Sequence, residues 1–146
     1  MKRGLERKFI IVGALWNLIT AFLTMFSYNS WFNQEGAKQI ENVDTNTMIA
    51  GSQMINNISQ IIFLYGLFIL IGAIINFLIA TKIRDNDIQN KLMIWFIIWA
   101  VTQLLAMDVI GFVLYMLAIV LYFSKNKAIR LTNKNLDESY GKKNFA

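Results

Sequence analysis

The chain has 146 residues, enough for one domain; 56% are hydrophobic and only 16% charged, against about 25% in typical soluble domains. It carries a net charge of +5 and no cysteine, histidine or proline. Those absences exclude disulfides, thiol chemistry, Cys/His metal sites, histidine-dependent triads and proline kinks, and the apolar fraction places the chain among integral membrane proteins.

The first apolar segment, FIIVGALWNLITAFLTMFSY at residues 9–28, has about the 20 residues that cross a bilayer core. The basic MKRGLERK before it looks like the start of a signal peptide. The apolar stretch is longer than a usual signal core and no A-x-A-type cleavage site follows, so an uncleaved first span is expected. Lys2 stands where myristoylation needs glycine.

Residues 29–60 form an expected outer loop. Its second half has helical periodicity, with Met48, Ile55, Ile58 and Ile62 on one face and Asn46, Gln53, Asn57 and Gln60 on the other. A helix is therefore expected to begin near residue 46, capped by Asp44, Thr45 or Thr47. It leads into a second span at 61–80. A charged inner loop follows at 81–90.

Residues 92–123 are uncharged except for Asp108. As one helix the run would be about 48 Å long, well beyond a hydrocarbon core of roughly 30 Å. Charge settles the choice. Cytoplasmic segments are enriched in Lys and Arg. Two spans, about 91–107 and 109–124, put thirteen basic residues inside and one, Lys38, outside; a single span gives seven on each side. The two-span reading makes Asp108 the cap of a hairpin turn rather than a buried transport acid. A re-entrant hairpin is the alternative that also keeps both termini on one side. The expected fold is all-α: an integral membrane four-helix bundle with N and C termini cytoplasmic and a basic tail, residues 125–146.

Small and weakly polar residues recur at helical spacing and are expected to form packing seams. Gly13, Asn17, Thr20 and Thr24 share a face of the first span. Gly66, Ala73, Asn76 and Ala80 do so in the second, with Gly72 beside them. Trp99 and Gln103 belong to the third span; Gly111, Tyr115, Ala118 and Tyr122 belong to the fourth. A polar path through Asn17, Asn76 and Gln103 is the sharper alternative, but their depths differ by several ångströms and none is ionisable. Tyr28, Trp31, Phe32, Trp95, Tyr122 and Phe123 fit interfacial belts.

The opening LERKFIIVGALWNLITAF, a Glu/Arg stretch followed by an Ile-rich helix with an early glycine at Gly13, is similar to the start of small four-span membrane proteins of unknown function from low-GC Gram-positive bacteria. The layout of four spans, long outer loop, short basic inner loop and tight third–fourth hairpin resembles them as well. The preference for Lys over Arg, with 22 Ile and 14 Asn, agrees with AT-rich coding. The resemblance implies a bacterial cytoplasmic membrane protein and supplies no catalytic residues.

No nucleophile–base pair, phosphate-binding glycine loop, metal cluster or nucleic-acid-reading element is visible, so no enzyme activity, cofactor, metal or nucleic-acid role is expected. The expected partners are the lipid bilayer, with anionic lipid at the basic tail, and another membrane protein or a second copy. The leading expectation is a non-enzymatic interaction, regulatory, accessory or immunity protein. Its partner surface would include Trp31, Phe32, Met48 and Ile55. The alternative is a small transporter or a holin-like pore formed by oligomerisation.

Overall fold

The computed structural model describes residues 2–85 and 87–143, with side chains through Leu136, and among these there are helices and short links but no strand. Lys142 and Lys143 of the basic tail lie outside the described side chains. α1 (Gly4–Phe22) passes through a π-helical turn (Leu23–Tyr28) into α2 (Asn29–Ile40) without leaving the helix. A four-residue link, 41–44, leads to α3 (Thr45–Lys82). α4 (Asn90–Leu105) and α5 (Val109–Lys143) complete the fold. Three helices, Gly4–Ile40, Thr45–Lys82 and Val109–Leu136, are long and apolar enough to cross a membrane, and α4 is a shorter apolar helix.

One segment expected as loop is helical instead. Residues 29–40, expected as loop, continue the first helix because nothing stops it: there is no proline, and polar side chains bond back to their own helix. Asn33 Nδ2 donates to the Asn29 carbonyl at 2.9 Å and Gln34 Nε2 to Ser30 Oγ at 3.3 Å. The basic tail, for which no secondary structure was expected, continues α5 to Lys143. The start of α3 falls one residue from the expected position. Asp44 caps it, accepting the Thr47 N–H at 3.2 Å and the Thr47 hydroxyl at 2.6 Å.

The turn between α4 and α5 is built as a Schellman motif. The Asp108 N–H bonds the Gln103 carbonyl at 2.9 Å and the Met107 N–H bonds that of Leu104 at 3.1 Å. This requires a left-handed residue at 107, and Met107 takes φ 57° there. Asp108 then caps α5, its Oδ1 accepting the Gly111 N–H at 2.9 Å. Gly111 makes room for the cap. A Cβ at that position would lie 2.5 Å from Asp108 Oδ2.

The chain divides into two compact units: residues 14–75, and residues 1–13 with 76–146. In the first, helices approach through glycines. A Cβ on Gly66 would meet Met25 Cγ at 2.4 Å, the Met25 backbone nitrogen at 3.2 Å and the Ala21 carbonyl oxygen at 3.3 Å. α3 therefore lies against the very backbone where the π turn widens the partner helix. Toward the link, Gly36 faces Ile55 and Gly51 faces Ile40 at 2.9 Å and 2.8 Å by the same measure. In the second unit α4 and α5 pack through Phe96, Trp99, Tyr115 and Ala118, all buried. In both units the large apolar residues outside these seams, such as Ile19, Phe68, Ile98 and Val120, are exposed.

Candidate functional site

The unit formed by residues 1–13 and 76–146 holds two buried polar clusters. The first joins α3, α4 and α5. Asn76 is fully buried. Its Nδ2 donates to Tyr115 Oη at 3.0 Å, and its Oδ1 accepts the Trp95 indole N–H at 2.7 Å. Trp95 stacks on Trp99 and Phe96 on Tyr115, each pair about 6.3 Å between ring centres. Gly13 allows the Tyr115 ring to lie close, since a Cβ there would sit 3.2 Å from it. Both ends of the Asn76 amide are thus taken by aromatic partners, which locks the seam.

The second cluster gathers the N-terminal segment, the 83–89 link and α5. Arg3 is fully buried. Its Nη2 donates to the Asp87 carbonyl and to Asn126 Oδ1, each at 2.6 Å. Its guanidinium lies 3.9 Å over the Tyr122 ring, a favourable cation–π geometry. The Arg3 backbone N–H donates to Asp85 Oδ1 at 2.8 Å. That bond, helped by the charge of Arg7, holds the Asp85 carboxyl below the usual carboxylate range. Arg7 donates to the Ile83 carbonyl just beyond the C-terminus of α3, where a cation is favoured by the helix dipole.

Glu6, also fully buried, pairs with Lys125 at 2.8 Å. Lys125 further donates to the Lys2 carbonyl at 2.7 Å. The Gln89 backbone N–H donates to Tyr122 Oη at 2.8 Å. The cluster clamps three separate stretches of chain onto one another. Arg3 Nε and Nη1, Glu6 Oε1 and Gln89 Oε1 are buried without a partner among the described residues.

The residues singled out from sequence are distributed as follows. Gly13, Asn17, Gly66, Gly72, Asn76 and Gln103 are all buried in seams. Thr20 and Thr24 lie half-buried at the seam's flank and bond back to the Asn17 and Thr20 carbonyls at 3.0 and 2.8 Å. Gln103 sits beside the Asp108–Gly111 cap rather than with Asn76, its Oε1 3.2 Å from the place of a Gly111 Cβ. Of the expected partner surface, Trp31 and Met48 are exposed, while Phe32 and Ile55 are half-buried within the α2–α3 hairpin.

Of the residues expected in an interfacial belt, Tyr122, also expected in the fourth seam, is buried and Trp95 is half-buried. Tyr122 is buried under Arg3, and Trp95 is tied to Asn76. Arg3 and Glu6 were not expected as interior residues, because a basic N-terminus reads as an orientation signal. The signal was present in the spacing. Arg3, Glu6, Ile10, Gly13, Asn17 continue one 3–4–3–4 stripe.

Among the described residues no group of three acids, cysteines or histidines could hold a metal. The side chains of both clusters are turned to each other, an arrangement suited to holding helices and chain ends in place. Compared with known protein families, curated proteins and solved structures, the chain matches none.

Proposed function

We propose that the chain is a four-span protein of a bacterial cytoplasmic membrane, with both termini and the 83–89 link cytoplasmic, and that it acts by binding another membrane protein. Accessory, regulatory and immunity roles all belong to this class. The orientation rests on the basic residues at the N-terminus, the 81–91 segment and α5, against the single Lys38 near the α2–α3 turn. α4 has 16 residues, about 24 Å of helix, and crosses with help from flanking polar residues and local thinning.

One observation carries the binding role. The first helix and α3 outrun the bilayer together, as a helical hairpin of α2 and the start of α3, and that hairpin keeps Trp31, Met48, Ile49 and Met54 exposed. Exposed apolar side chains grouped on a projecting element mark interaction surfaces. A pore would need a polar face left open after assembly, whereas both ends of the Asn76 amide are engaged inside one chain.

The test is a photo-crosslinking amino acid placed at Trp31 or Met54 in native membranes, with one at Phe68 as control. A discrete adduct from the hairpin positions and none from Phe68 is expected. Ion flux from liposomes containing the purified chain, lost on Asn76→Leu, would favour the pore instead. Orientation is read separately with an impermeant thiol reagent, since the chain has no cysteine. Asp108→Cys is expected to react from outside intact cells and Lys127→Cys is not.

A further inference from the structure

Three basic side chains at the junction of α3 and α4 line one groove. Asp85 turns to the Arg3 backbone, while Lys82 at the end of α3, Arg84 on the link and Lys91 at the start of α4 line an open groove of about 800 Å³. Thr81, Gln89 and Asn90 complete its polar wall. No acidic residue is among those lining it, and none of the three cations forms an ion pair among the described residues. Like charges held around one concavity repel each other, so the arrangement is relieved by an anion.

Two further features narrow the ligand. The groove lies at the ends of two apolar helices, where an acyl chain can run along the exposed Ile94 and Leu78. Gln89 lines it too, and the Gln89 amide oxygen has no donor among the described residues. A small turn of that side chain lets a headgroup hydroxyl supply one.

We propose that this groove binds the headgroup of an anionic phosphoglycerol lipid: Lys82, Arg84 and Lys91 hold the phosphate and Gln89 accepts a glycerol hydroxyl. Basic pockets at the cytoplasmic ends of membrane helices suit such headgroups. The assignment rests on the membrane reading above. It deepens that reading by moving the lipid contact from the basic tail to a defined groove on the link. A second basic groove, lined by Lys127, Arg130 and Lys134 along α5, serves as its internal control.

The full chain, purified in mild detergent, is examined by native mass spectrometry after addition of phosphatidylglycerol, phosphatidic acid or phosphatidylcholine. Phosphatidylglycerol is expected to be retained at least about tenfold over phosphatidylcholine. The Lys82→Gln, Arg84→Gln, Lys91→Gln triple variant loses that preference. The Lys127→Gln, Arg130→Gln, Lys134→Gln variant, with the same net charge, keeps it. Gln89→Leu weakens phosphatidylglycerol and spares phosphatidic acid.

All six basic positions are substituted without touching the buried clusters, and an unchanged elution volume and helical circular dichroism confirm folding. Single Lys91→Gln, with a smaller loss, replaces the first triple variant should that one misfold. Unchanged retention in the first triple variant overturns the proposal. So does equal loss in both triple variants, which marks unspecific charge. Displacement of the lipid by millimolar inorganic phosphate makes a free anion the occupant and also overturns it. The measurement is made in detergent and does not depend on sidedness. Labelling of Lys127→Cys from outside cells would remove the topology and leave the lipid result to stand or fall alone.

Discussion

The two units of the chain hold their helices together by different means. In residues 14–75 the contact is backbone against backbone. Gly66 lies on the π turn at Met25, and Gly36 and Gly51 let the hairpin close. Between the two helices there, Asn33 Nδ2 donates to Ser59 Oγ at 2.9 Å and the Ser59 hydroxyl to Asn29 Oδ1. In residues 1–13 and 76–146 the contact is made by long side chains: Asn76 between Tyr115 and Trp95, and Arg3 between Asn126 and the link. Both means suit helices in the bilayer setting proposed above. In an apolar medium helices gain little from burying apolar surface and associate through close packing or interhelical hydrogen bonds. One unit uses mainly the first and the other mainly the second.

The unit held by long side chains is most vulnerable at Glu6 and Lys125. Lys125→Met leaves a fully buried carboxylate without its cation. A loss of about 3 kcal/mol is expected, at the low end for breaking a buried pair because Lys125 is itself partly exposed. Unfolding in mixed detergent micelles measures it. Adding Glu6→Gln should restore most of the loss, and a purely additive double variant would show that the pair does not couple.

The corresponding change in the glycine-packed unit is Gly66→Ala. The new methyl overlaps Met25 Cγ, which can move, but also crowds two backbone atoms that cannot. About 2 kcal/mol of destabilisation is expected. Gly13→Ala meets only the edge of the Tyr115 ring and should cost less. An equal cost for the two in the same unfolding assay would mean that backbone proximity is not what distinguishes Gly66.

Asn76→Leu ranks next. It removes the acceptor of the Trp95 N–H and one of the donors to the Tyr115 hydroxyl, and a loss of about 1 to 2 kcal/mol is expected from two such bonds. With Trp16, Trp31 and Trp99 replaced by Phe, Trp95 fluorescence reports it directly. A shifted emission maximum is expected in Asn76→Leu and none in Asn17→Leu, since Trp95 bonds Asn76. A shift in both would argue that Trp95 senses the whole fold rather than its own bond.

How much of this was legible in the sequence follows the same division. The glycine and small-residue stripes announce themselves by spacing, and the hairpin turn at Asp108 by charge and length. The buried polar clusters were half visible. Asn76 stood out as a polar residue in a span, but its partners Trp95 and Tyr115 read equally well as a belt residue and a seam residue. Only their meeting in space assigns them. Arg3 and Glu6 were hidden for a different reason. A charge beside a span has two physical uses, orientation and pairing, and residue type does not distinguish them. The helical stripe through positions 3, 6, 10, 13 and 17 does. Residues 29–40 were misjudged because polarity was read as loop. Polarity reports solvent, and a helix that turns polar stays a helix where no residue stops it.

The turn between α4 and α5 offers a stabilising change. Met107 occupies the left-handed position that the Schellman motif usually gives to glycine, and its side chain is almost fully exposed. Met107→Gly removes the steric conflict between Cβ and the backbone and loses almost no packing. A gain of about 1 kcal/mol is expected, read as a raised midpoint of thermal unfolding. Met107→Ala, which keeps the Cβ, should gain nothing; a similar rise in both would trace the effect to the lost side chain rather than to the backbone.

The smallest expected effect is a pH dependence at the opposite turn, between α2 and α3. Asp44 is exposed, and its carboxyl is held below the usual carboxylate range, chiefly by the Thr47 hydroxyl and next by the Thr47 N–H. Both donors favour the ionised form, so folding of the turn binds fewer protons than unfolding does. Its contribution is therefore complete above the ordinary carboxylate pKa and fades as pH falls through the lowered value. Amide exchange at Thr47 and Met48 should accelerate over that acidic window in the native chain. Asp44→Asn keeps an acceptor but cannot titrate, and its exchange should follow only the intrinsic pH dependence. If the native chain and Asp44→Asn show the same profile, Asp44 shapes the turn without coupling it to protons.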